Sequence, residues 1–156
     1  MHILEHDFDQ ITVDEIGKFA ILWNVFEKTK CGSDCDSQKL INLGNNDAIR
    51  TIADVRQIFA RALQRRMNLF HVAATDYVEN HLQMRLGRNL SPEHKQLICN
   101  FIQSNGLECI SGGLLAIYRL RNNMFHGLKE WWDLDSQVEL FASMNKVLEG
   151  ILSCQE

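Results

Sequence analysis

Hydrophobic positions along this chain recur at helical rather than alternating spacing. Ile16, Phe19, Ala20, Trp23 and Phe26 line one face of a helix that begins near Thr12 and ends around Lys30. Thr12-Val-Asp-Glu15 reads as its capping box, with Thr12 accepting from the amide three residues on and Glu15 reaching back. The period is lost over residues 31–46, CGSDCDSQKLINLGNN, whose Gly, Ser, Asp and Asn predict the longest loop. From Asn45 to Leu86 neither Gly nor Pro occurs. A single helix over that span would be about 63 Å long at about 1.5 Å per residue, too long for a domain of this size. Two helices are therefore expected, Ala48–Arg66 and Leu69–Leu86, broken near Asn68. Gly87 closes the second, with Arg85 and Arg88 at the end where the helix dipole favours cations.

The pattern restarts cleanly at Ser91-Pro92, an N-cap followed by proline at the first helical position, and that helix runs to about Ser104. A further helix starts near Leu107 and continues through Leu114, Leu115, Ile117, Tyr118 and Leu120, with Gly112-Gly113 allowing close helix packing. Ser136-Gln-Val-Glu139 forms a second capping box, ahead of an inner face of Val138, Phe141, Met144, Val147, Leu148 and Ile151. No repeat or linker interrupts residues 1–156. The expected architecture is one all-α bundle of about five to six helices.

Composition supports this and excludes several classes. One proline in 156 residues suits a chain whose helices are rarely stopped, and 46% hydrophobic content is too high for disorder. No apolar run approaches the roughly 18 residues of a membrane span, and the acidic start MHILEHDFDQ predicts no secretory leader. The five cysteines, odd in number and irregularly spaced, fit a reducing cytoplasm. Cys31 and Cys35 read as part of a plain loop rather than as a metal or redox pair, because no second Cys/His pair lies at matching spacing. His71, His81 and His94 likewise lack a second ligand, so neither metal nor cofactor is expected.

The net charge of −4 argues against a phosphate ligand until its distribution is read. Residues 48–129 carry +6, and the two ends carry −10. That asymmetry fits either a phosphate-facing middle or solvated acidic ends. Arg61, Arg65 and Arg66 fall on or beside one helical stripe, which would serve as an RNA-backbone track or as an ordinary solvated face. Trp131-Trp132 read as packing groups near a loop or dimer contact.

The densest chemistry lies in Arg119-Leu-Arg121-Asn122-Asn123-Met124-Phe125-His126-Gly127-Leu128-Lys129. Asn122 and His126 are four apart and face one way on a helix, whereas Arg121 and His126 diverge by about 140°. Two readings are open. His126 can be a helix-terminal cation before Gly127, with Asn122 and Asn123 as polar surface. Alternatively, Arg and His converge because the helix ends or a second chain contributes. Glu27, beside Trp23 and Phe26, needs a partner in either case, Arg121 or its neighbours Lys28 and Lys30.

Arg121-Asn122-x-x-x-His126 resembles the R-x4-6-H motif of the HEPN superfamily, and RNNMFHGLK is similar to the RNN-x-FHG-x-K string of its stand-alone bacterial members. Trp23-Asn-Val-Phe-Glu27 resembles a first-helix signature that accompanies it. The resemblance implies a dimeric HEPN-like helical domain over 1–156 and a metal-independent endoribonuclease, a toxin or phage-defence effector, whose two motifs meet across a homodimer. It implies His126 as general base or acid at a ribose 2′-OH, Arg121 on the phosphate and Asn122 as an orienting group, with Asn123, Lys129, Arg119 and Glu27 as substrate-binding or orienting residues. It also implies RNA as substrate and an antitoxin protein as a candidate partner. In one toxin subgroup a Tyr two residues after the His is the site of silencing by a nucleotidyltransferase; here that position is Leu128. The alternative is a non-catalytic HEPN-like dimer that binds RNA, a nucleotide or a protein.

Overall fold

The computed structural model describes residues 1–46, 52–82, 90–125 and 131–154. Among these are seven α-helices, one 3-10 segment and a two-stranded hairpin, so the all-α expectation holds in outline. The helices are α1 (Gln10–Lys30), α2 (Ser37–Gly44), α3 (Ala53–Phe70), α4 (Ala74–Asn80), α5 (Pro92–Gln103), α6 (Ile110–Phe125) and α7 (Val138–Ser153). The 3-10 segment Trp131–Gln137 leads into α7. Helix α1 packs along α7, which also meets α3. Helix α6 lies among α2, α3 and α5. Residues 111–117 are consequently all buried.

The ends of α1 and α7 are set by tertiary contacts rather than by capping boxes. Asp9, not Thr12, is the N-cap of α1, and its backbone amide donates to Asp135 Oδ1 at 3.1 Å. Asp135 thus reaches from the 3-10 segment to cap a helix far away in sequence. Its carboxyl is held below the usual carboxylate range, chiefly by the Thr12 hydroxyl, with the Asp9 amide and His6 adding to the effect. A depressed folded-state pKa stabilises the fold above the unfolded value and loses that contribution as pH falls through the folded one. Asp135→Asn is therefore expected to flatten the acid limb of the stability curve below about pH 4, read as melting temperature against pH. The second capping box does not form either. Ser136 Oγ donates to Asp133 instead, and Glu139 pairs with Arg65.

The chain before α1, for which helical periodicity gave no expectation, pairs His2–Ile3 with His6–Asp7. Leu4 and Glu5 sit at φ 49° and 62°, the left-handed conformation that a two-residue hairpin turn demands. The predicted loop at 31–46 contains α2. Asp36 Oδ1 accepts from the Lys39 amide at 2.8 Å, and Leu40 is fully buried. Helix α3 runs to Phe70 rather than Arg66 and ends at His71 in the left-handed region, so the break falls after Asn68. The helix expected over Leu69–Leu86 is α4 alone within the described residues; Arg85, Gly87 and Arg88 lie outside them.

Two features emerge as read from the sequence. Ser91 Oγ accepts from the His94 amide at 3.2 Å, with Pro92 in the first turn of α5. Gly112 and Gly113 lie against α5: a Cβ on Gly112 would overlap the Leu97 carbonyl, and one on Gly113 would come within 2.8 Å of the Phe101 ring. Phe19, Phe26, Phe59, Phe101 and Phe141 fill the interior. No described helix is long and apolar enough to cross a membrane.

Candidate functional site

The described part of the candidate site is the C-terminal end of α6, which carries Arg119, Arg121, Asn122 and Asn123. Because α6 is wrapped by neighbours, its polar end is drawn inward. Asn122 is 8% exposed, Asn123 4% and Arg119 9%, so none of the three is polar surface. Arg121 is half-buried. Its Nη1 donates to Asn122 Oδ1 at 2.9 Å, and its guanidinium lies over the Trp23 ring, 6.0 Å from the centroid. Trp23 in turn stacks on Tyr118, with centroids 6.0 Å apart and planes 20° from parallel.

Arg121 is therefore held by a neighbour on its own helix and by an aromatic ring delivered from α1. An amide oxygen and an indole face both favour the cation and fix where its Nη1 donor points. Asn123 Nδ2 donates weakly to the Leu82 carbonyl at 3.5 Å, while its buried Oδ1 has no hydrogen-bond partner among the described residues. Trp23 and Tyr118 are the site groups that sequence reasoning did not assign. The Trp23-to-Glu27 string marked the region, but only the packing of α1 shows that the ring supports Arg121.

Glu27 has a different partner from those expected. Its Oε2 accepts from the Cys35 amide at 3.2 Å, tying the end of α1 to the turn before α2. That turn is closed by a disulfide between Cys31 and Cys35, in place of the reduced loop expected from composition. Such a short loop gives a modest entropic stabilisation, about 2 kcal/mol. Replacing both cysteines by serine should lower the melting temperature by roughly 4–8 °C. The same loss should follow when the unmodified chain is melted in dithiothreitol, and the serine variant should be insensitive to the reductant.

The basic character of the middle segment is partly consumed inside the fold. Arg56 is buried, donating to the Gly106 carbonyl at 3.2 Å and the Ile52 carbonyl at 3.3 Å, and burial lowers its basicity. Arg65 pairs with Glu139, and Lys95 with Glu79 at 3.0 Å. Arg61 and Arg66 are the members of the stripe that no described carboxylate neutralises at ion-pair distance. His126 and Lys129 lie outside the described residues. Among the described residues no group of three or more His, Cys, Asp or Glu side chains could hold a metal ion. No protein-family model, curated protein or solved structure matches the chain.

Proposed function

We propose that this chain is a metal-independent endoribonuclease of HEPN type, acting as a homodimer in which two copies of the Arg121-to-His126 motif form one cleft. The observation that carries the reading is the support given to Arg121. A guanidinium fixed by Asn122 and by Trp23 at the mouth of a buried polar cluster suits a dianionic transition state better than a surface role. The dimer brings Arg121 of one copy and His126 of the other within reach of one phosphate, which the five-residue spacing denies to a single helix.

In this mechanism neutral His126 takes the proton of a ribose 2′-OH, and the freed O2′ attacks the adjacent phosphorus. The P–O5′ bond breaks, and the leaving 5′-oxygen takes a proton from His126 of the second copy, held as imidazolium. The products are a 2′,3′-cyclic phosphate and a 5′-hydroxyl. Arg121 binds the non-bridging oxygens while charge accumulates on them, and Asn122 keeps the guanidinium aimed. A cellular role as a toxin or phage-defence effector, with an antitoxin protein as partner, belongs to the same proposal. The test is RNA cleavage in EDTA by the purified chain, with the cyclic phosphate identified on the product. Cleavage retained in full by Arg121→Ala and His126→Ala would overturn it, as would a chain that stays monomeric at micromolar concentration.

A further inference from the structure

Beside the motif, at the corner between α3 and α4, lies a column of flat groups for which the catalytic reading has no use. Tyr77 is buried at its base, and its ring stacks on His81 with centroids 5.8 Å apart and planes 16° from parallel. His81 stacks on Phe70 at 4.1 Å and 23°. The Arg66 guanidinium lies over Phe70, 5.3 Å from its centroid. Phe70 is 41% exposed and His81 is exposed, so the outer part of the column faces solvent. Apolar packing does not need this arrangement. An exposed phenylalanine flanked by an imidazole and a guanidinium has gained little from burial.

Two contacts place the column against the motif. Leu82, the residue after His81, offers its carbonyl to Asn123. Arg66 Nη1 donates, at a long 3.5 Å, to Ser136 Oγ in the 3-10 segment that follows the motif. Through Arg66 the column touches the chain after the segment that holds His126, and through the neighbour of His81 it lies beside the chain before it. Among the nearby acids Glu79 pairs with Lys95 and Glu139 with Arg65, while Asp76 accepts from Asn80 and Asp133 from Ser136, and no described carboxylate lies at ion-pair distance from Arg66.

We propose that the Arg66–Phe70–His81 column is a stacking platform for an unpaired nucleobase of single-stranded RNA, next to the site of cleavage. This rests on the reading of the protein as RNA-directed. The chemistry is that of single-strand recognition: the Arg66 guanidinium, backed by the Phe70 and His81 rings, is a flat cationic plane that attracts the backbone and on which any base stacks. A duplex, with its bases already stacked and shielded, would gain nothing from the platform, so the inferred substrate is an unpaired strand or loop.

The test uses the full chain carrying His126→Ala, so that RNA stays intact, and a short fluorescein-labelled oligoadenylate followed by anisotropy. Phe70→Leu keeps apolar volume but removes the ring against which the Arg66 guanidinium lies, and is expected to weaken binding about tenfold, the usual size of one lost base stack. Phe70→Trp should restore affinity, His81→Ala should weaken it, and a labelled RNA duplex should respond to none of them. Oligoadenylate binding that is unchanged by Phe70→Leu and His81→Ala overturns the platform, even if unmodified His126 protein cleaves RNA normally. Binding that depends on Phe70 in a chain that never cleaves supports the platform while the nuclease reading falls. Absence of single-strand binding, with self-association lost in Phe70→Leu, overturns it in favour of a protein contact.

Discussion

Arg121→Ala and His126→Ala are each expected to reduce metal-independent RNA cleavage by about 10²–10⁴-fold, the range typical for loss of a proton-transfer group or a transition-state donor. The two losses should not add, because the residues act on one phosphate. A double variant should therefore be little worse than either single one. Arg121→Lys should fail to rescue. An ammonium keeps the charge but cannot donate in the bidentate geometry of a phosphate, and it lacks the planar group that lies 6.0 Å over Trp23. Asn122→Ala removes the acceptor that fixes Arg121 Nη1, and should lower kcat by a smaller factor while cleavage remains detectable. Melting temperatures of the Arg121 variants, measured beside their rates, separate lost chemistry from lost folding. If cleavage vanishes in EDTA instead, a metal is required and the proposed mechanism fails.

Gly112→Ala is expected to be among the most destabilising single changes in the chain. The added methyl would overlap the Leu97 carbonyl oxygen in α5 and come within 2.5 Å of its carbon. Backbone cannot swing aside as a flexible side chain would, so α5 and α6 must separate. Overpacking usually costs about 1–3 kcal/mol, and rigid backbone as the obstacle puts this case at the upper end or beyond it. At the scale of this chain that is a fall of roughly 6–12 °C in melting temperature. Gly17→Ala provides the control. Gly17 lies exposed on α1 with nothing within 4 Å of its would-be Cβ, and helix propensity there should stabilise by about 0.5–1 kcal/mol. Chemical denaturation of the two variants beside the parent would show opposite signs. Equal and small effects would mean that α5 and α6 do not approach as closely as described.

Much of the fold was legible because local chemistry and packing agree. Ser91-Pro92 starts a helix wherever it is placed, and the apolar faces of α1 and α7 carry their own period. Legibility failed where a distant residue decided the outcome. Thr12 and Ser136 each open a plausible capping box, yet Asp135 and Asp133 take the polar contacts first. Residues 37–44 have the composition of a loop, and it is the burial of Leu40, together with an Asp36 cap, that makes them a helix. At the site, Arg121, Asn122 and Asn123 stood out as a polar cluster. Their burial was not readable, because it depends on α6 being enclosed by three other helices. The Arg121–Trp23 contact joins residues almost a hundred positions apart, and no local pattern encodes it.

The chemical make-up of the site's described half has a consequence for how acidity reaches the reaction. A guanidinium, two carboxamides and an indole neither gain nor lose a proton between about pH 5 and 8. In the proposed mechanism the proton transfers fall to His126, and the groups around Arg121 hold and orient the phosphate. Cleavage should follow a bell-shaped curve in pH, both limbs belonging to the paired histidines. Cellular acidity would thus act on the rate through the paired His126 residues, while the Arg121 hold on the phosphate keeps its form.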